Sequence, residues 1–136
     1  MVIYLDSAAI VKLVQRETEC DALDLWLAER LGQPRVTSAL AEVEVPRAIL
    51  RTAPASQPRI PTVLGSIARF EIGPAVRGLA ASYTDGTLRS LDAIHLATAQ
   101  VLAAELGGSP VTFVTYDKRL LNAAAHAALT TASPGT

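Results

Sequence analysis

The sequence predicts an α/β domain built on a mostly parallel sheet, and three observations carry the expectation. Short, β-rich apolar runs alternate with longer stretches of helical spacing from one end to the other. Hydrophobic residues make up 50% of the chain, with aromatics at only 4%. Such a composition suits a compact, helix-rich domain and argues against disorder. Finally, 136 residues are enough for one domain with a three-layer core.

The elements follow in order. Val2 to Leu5 reads as a buried strand, and Ser7 to about Gln15 as a helix that begins directly behind Asp6. A second helix is expected over Glu19 to Leu31, with Leu23, Trp26, Leu27 and Leu31 at helical spacing and Gly32 as its stop. "RVTS" is a short strand whose Ser38 is placed to cap the next helix. That helix holds Leu40 to Arg51, and Pro46 inside it removes a backbone donor and predicts a kink. Pro58 to Ala68 reads as a helix, "RFEIG" as a strand, and Pro74 to Tyr83 as a helix opened by its proline. Asp85-Gly86 is a turn. Ser90 to Leu106 is a long helix ended by Gly107-Gly108, "VTFVTY" a strand, Lys118 to Ala127 a helix and "ALTTA" a last short strand. One domain over 1–130 is expected, with 131–136 as a short flexible tail.

Several function classes are disfavoured at once. No apolar run reaches the roughly 18 residues a spanning helix needs. No basic region precedes the first apolar stretch, so a secretory signal is not visible. Cys20 is the only cysteine, which excludes an internal disulfide and makes a reducing cytoplasm the expected location. The net charge of −1 leans against a broad phosphate-neutralising surface, so any nucleic-acid role must rest on a local cluster. No zinc-ligand spacing, nucleophile elbow or P-loop is present.

Four acids occupy telling positions. Asp6 and Asp117 each follow a strand, Asp92 lies in the first turn of a nearly all-apolar helix, and Glu44 shares a helix face with Leu40 and Ala48. Each has a plain alternative. Asp6 and Asp117 can be N-caps, worth about 1 kcal/mol. Asp92 can complement a helix dipole for ~0.3–1 kcal/mol, and Glu44 can pair with Arg47. Taken together they read differently. A parallel sheet brings Asp6 and Asp117 to one edge, where ligands of such sheets bind. Burying an unpaired carboxylate costs several kcal/mol, more than a cap returns. Converging carboxylates repel unless a cation sits between them, and oxygen-only ligands select a hard metal, Mg²⁺ or Mn²⁺. His95, one turn after Asp92, reads as a packed core histidine rather than a base.

At this point the motifs match a family. "YLDSAAIVKL", "TSALAEVEVPRA", "LRSLDAIHLATA" and "FVTYDKRLLNAA" resemble, in order and spacing, the PIN-domain ribonucleases and in particular the VapC toxins of bacterial toxin–antitoxin systems. The likeness spans nearly the whole chain. It implies an α/β/α sandwich, an acidic quartet on Asp6, Glu44, Asp92 and Asp117, and supporting hydroxyls at Ser7 and Thr115. Glu44, four residues after Leu40, is the matching glutamate, whereas Glu42 projects about 160° away. The resemblance further implies Mg²⁺, with Mn²⁺ able to substitute, endonucleolytic cleavage of RNA, a VapB-like antitoxin and a homodimer. Arg47, Arg89, Lys118 and Arg119 beside the motifs are candidates to hold RNA phosphates, with ion pairing to the same acids as the alternative. Two other readings stay open: a non-catalytic module that docks a partner through the acidic pocket and the apolar surface of Trp26 and Leu27, and a nuclease acting on DNA.

Overall fold

Four consecutive apolar residues make β1 (Val2–Leu5) the central strand of a sheet whose pairings are all parallel. The computed structural model describes residues 1–16 and 20–136. After β1 come α1 (Ser7–Gln15), α2 (Cys20–Ala28), β2 (Arg35–Ser38), α3 (Ala41–Thr52), a 3-10 segment (Pro54–Arg59) and α4 (Ile60–Gly65). The chain continues through β3 (Ala68–Phe70), α5 (Pro74–Ser82), α6 (Ser90–Glu105), β4 (Val111–Val114), α7 (Lys118–His126) and β5 (Thr130–Ala132). Strand order is β3-β2-β1-β4-β5.

Side chains alternate across β1 and so build two cores. Ile3 and Leu5 pack with Ile10 of α1, Leu23 of α2 and Ile49 of α3. Tyr4 packs on the other face with Phe113 of β4, Leu96 of α6 and Leu120 of α7. Tyr4 and Phe113 are register partners, and their rings stack 5.1 Å apart. The result is the expected α/β/α sandwich, with helices on both faces of the sheet.

Gly107 and Gly108 close α6 as a Schellman motif. Gly108 N donates to Ala103 O at 3.3 Å and Gly107 N to Ala104 O at 3.2 Å, with φ of 66° and 92° at the two glycines.

Some boundaries differ from the sequence reading, each for a physical reason. The helix expected over Pro58 to Ala68 is divided: Pro58 and Arg59 end the 3-10 segment, α4 covers only Ile60–Gly65 with Pro61 in its first turn, and Ala68 already belongs to β3. "RFEIG" contributes only Arg69 and Phe70 to β3, which stops where its sole partner β2 stops, at Ser38↔Phe70. β4 likewise ends at Val114, opposite Leu5, and leaves Thr115 and Tyr116 outside it. The start expected for the second helix at Glu19 lies outside the described residues. Its end falls at Ala28, and Leu31 is 77% exposed rather than packed. Ser38 is not the cap of α3; its Oγ accepts from Leu40 N at 3.1 Å. α3 runs through Pro46 without a break. The boundary expected at residue 130 falls inside β5, and Tyr116 Oη donates to Pro134 O at 2.8 Å beyond it.

Candidate active site

The register of β1 and β4 puts the residues that follow them side by side. Leu5 pairs with Val114, so Asp6 and Thr115 meet at the carboxyl edge of the sheet. Thr115 Oγ1 donates to Asp6 Oδ2 at 2.5 Å, and Ala9 N donates to Oδ1 at 2.9 Å. Asp6 thus caps α1 and also belongs to a buried cluster, being only 4% exposed. Burial pushes its pKa above the ordinary value, and nearby Asp92 adds to this, although His95, Thr115 and Ala9 pull the other way.

Asp117 caps α7 by accepting from Arg119 N at 2.8 Å and Leu120 N at 3.3 Å. Its own N–H donates to Thr115 Oγ1 at 3.1 Å, so one threonine links the two strand-following acids. Asp92 is half-buried in the first turn of α6. Its pKa is raised by burial and then by the charges of Asp117 and Glu44, against which His95 and Arg89 act.

Glu44 is held from the far side of the pocket. Ser7 Oγ donates to Glu44 Oε1 at 2.7 Å, and His95 Nε2 lies 2.8 Å from the same oxygen. Burial raises the pKa of Glu44, but the His95 and Ser7 hydrogen bonds outweigh it and leave the group lowered. The Glu44–Arg47 pair that helix spacing allows is replaced by this contact. Behind His95, Tyr4 Oη lies 2.7 Å from Nδ1.

Arg89 and Arg119 line a cavity of about 570 Å³ together with Glu44, Asp92 and Asp117. Arg47 lines a second groove, about 780 Å³, on the α1–α3 side of Glu44. Lys118 lines neither. Among the described residues none of these four bases stands within ion-pair distance of the acids, although the charge of Arg89 still lowers the pKa of Asp92. Glu42 points away and pairs with Arg69 at 3.1 Å.

Comparison with known proteins agrees with the architecture. The PIN domain family matches residues 3–126. This chain is a PIN-domain protein. It is 48% identical to ribonuclease VapC35 of Mycobacterium tuberculosis over 134 residues, covering 98% of this chain and 97% of that one. Ribonuclease VapC46 of the same organism is 45% identical over 122 residues, covering 90% and 89%. The relationship therefore places this PIN domain among the VapC proteins. In the solved structure of VapBC-1 from nontypeable Haemophilus influenzae, one chain superposes with a TM-score of 0.63 over 98% of both chains, at 14% identity, which bears on the fold.

The donor set of the PIN domain fits a hard divalent cation in its chemistry. All four acids offer oxygen; Asp92 feels Asp117 and Glu44, and Asp6 feels Asp92, as repulsion that a cation would relieve. Among the described residues no three carboxylates or histidines already stand around one point, so ligation requires their side chains to draw together. Sequence reasoning missed the pairing of His95 with Tyr4. No local signal marks it, since Tyr4 and His95 lie 91 residues apart. Of the partner-docking surface expected at Trp26 and Leu27, only Trp26 is partly exposed. Leu27 is 2% exposed, and the Arg30 guanidinium covers the Trp26 ring at 4.1 Å.

Proposed function

We propose that this PIN domain is a metal-dependent endoribonuclease, the toxin of a toxin–antitoxin pair, with its centre at Asp6, Glu44, Asp92 and Asp117. The observation that carries the reading is the gathering of these acids at one sheet edge, in a chain nearly half identical to named VapC ribonucleases. Asp6, Asp92, Asp117 and Glu44 would hold Mg²⁺, or Mn²⁺ in its place. When bound, such a cation supplies Lewis-acid polarisation of the phosphate and a lowered pKa for water.

The chain's own residues do the rest. Thr115 fixes Asp6, and Ser7 fixes Glu44, so that each carboxylate keeps a lone pair for the pocket. Arg89 and Arg119, beside the acids, hold the RNA phosphate, with Arg47 and the exposed Lys118 further along its path. Water is the nucleophile: its oxygen bonds to phosphorus, the P–O3′ bond breaks, and the departing 3′ oxygen takes up a proton. The products carry 5′-phosphate and 3′-hydroxyl ends. RNA is chosen over DNA by shape and base contacts outside the acids.

A VapB-like antitoxin is the implied partner, in line with the VapBC-1 neighbour, and a homodimer the implied assembly. No helix among the described residues is long and apolar enough to cross a membrane, which suits action in the cytoplasm. The test is cleavage of RNA by purified protein. We expect cutting with Mg²⁺ or Mn²⁺, none with EDTA, and none by folded Asp6→Asn. Persistence of cutting in that variant sinks the assignment, and preference for single-stranded DNA redirects it to a DNA nuclease.

A further inference from the structure

His95 is 2% exposed on a helix that is otherwise packed with apolar residues, yet both its ring nitrogens are engaged. Nδ1 meets Tyr4 Oη at 2.7 Å and Nε2 meets Glu44 Oε1 at 2.8 Å. Tyr4 sits on β1, His95 on α6 and Glu44 on α3, so the chain of contacts runs through the sheet edge from one helical layer to the other. Ser7 of α1 completes it, 3.1 Å from Nε2 and 2.7 Å from Oε1. Toward an ionised Glu44, Nε2 must donate in either protonation state of the ring. The Tyr4 hydroxyl, both donor and acceptor, serves Nδ1 in both.

Glu44 is also the acid with most to lose on ligating a metal. It has one more rotatable bond than the aspartates, so fixing its carboxylate at a metal removes more conformational freedom. Two donors converge on Oε1, and among the described residues Oε2 takes no hydrogen bond. One oxygen is therefore anchored and the other left for the pocket.

We propose that Tyr4 and His95 form a buried strut that positions the Glu44 carboxylate and thereby sets the affinity of the acidic pocket for a divalent cation. His95 is a positioning residue here, and Tyr4 positions His95 in turn. The inference rests on the metal-dependent reading above. Partners of this kind, one bond removed from a metal, typically change metal affinity by about 10- to 100-fold when removed.

The experiment is calorimetric titration of Mn²⁺ into the full chain, with circular dichroism on each variant. Wild type is compared with Asp6→Asn, His95→Leu, His95→Gln and Tyr4→Phe. We expect His95→Leu to bind Mn²⁺ at least roughly tenfold more weakly, and Tyr4→Phe to shift in the same direction by less. His95→Gln, whose side-chain amide restores a donor toward Glu44, should recover most of the affinity, which a merely space-filling role would not produce. Wild-type affinity in folded His95→Leu overturns the strut. If His95→Leu fails to fold, Tyr4→Phe decides: weaker binding supports the strut and wild-type binding overturns it. Should wild type itself bind no Mn²⁺, the metal-dependent reading falls and the strut with it. If Asp6→Asn alone loses binding, the strut falls and that reading stands.

Discussion

Asp6 is both a helix cap and a member of the acidic cluster, since its two oxygens are divided between Ala9 N and Thr115 Oγ1. The two roles differ in what they do to stability with pH. Asp6 and Asp92 are raised above the ordinary 3.8 by burial first and by their acidic neighbours after it. The folded protein therefore holds these protons more tightly than the unfolded chain, and stability falls as pH rises from 3.8 through the raised values. Glu44 has the opposite sign. Lowered from 4.5, it contributes stability that is fully present above 4.5 and lost as pH falls through its folded value. Above pH 4.5 the Glu44 contribution is constant, so Asp6 and Asp92 set the slope, and the metal-free protein should melt at a higher temperature at mildly acidic pH than at neutral pH. Asp6→Asn should flatten that slope and raise the neutral melting temperature. Thermal unfolding in EDTA between about pH 7 and about pH 4.5 reads both. A lower neutral melting temperature in Asp6→Asn would mean that the Thr115 and Ala9 bonds to the carboxylate outweigh its burial.

Helix ends show where local sequence decides and where it does not. α6 closes on Gly107 and Gly108, and α7 closes in the same way on Ala128 and Leu129: Ala128 N donates to Ala125 O and Leu129 N to Ala124 O, both at 3.1 Å. Ala128 adopts φ of 63° to do so, where an L side chain is strained by roughly 1–2 kcal/mol. It is exposed, so removing its methyl group uncovers no core. Ala128→Gly should stabilise the protein by up to about 1 kcal/mol after the entropic cost of glycine, measured by urea unfolding with an unchanged m-value. The glycine stop of α6 was legible in the sequence, whereas the second closure was not, because nothing local marks an alanine for that conformation. Strand ends at Phe70 and Val114 were illegible for another reason: they are set by the length of the neighbouring strand. The positions of Asp6, Asp92 and Asp117 were readable from what precedes or surrounds each. His95 is the packed core histidine expected, but its partners were not legible, because Glu44 and Tyr4 lie 51 and 91 residues away and only the closed sheet brings them together.

At the scale of the whole molecule, parallel pairing sends the chain from β1 and β4 out of the same sheet edge, and α3 and α6 bring Glu44 and Asp92 to it. The arrangement concentrates like charge in a partly desolvated place, which a metal-free fold gains nothing from. Its cost is returned only when a cation binds the folded state and not the unfolded one. At Mn²⁺ one hundred times its dissociation constant, that linkage amounts to about 2.7 kcal/mol, a rise of several degrees in melting temperature for a chain of this size. Asp6→Asn should begin above wild type in EDTA, because one buried charge is gone, and gain little from Mn²⁺, because one ligand is gone. The two melting curves should therefore exchange order as Mn²⁺ is added, as read by scanning fluorimetry from the single Trp26. A cap alone predicts no such exchange: asparagine caps a helix about as well as aspartate, so the two curves would keep the same order with and without metal. Equal Mn²⁺ gains in the two proteins would remove Asp6 from the ligand set and leave it only the first of its two roles.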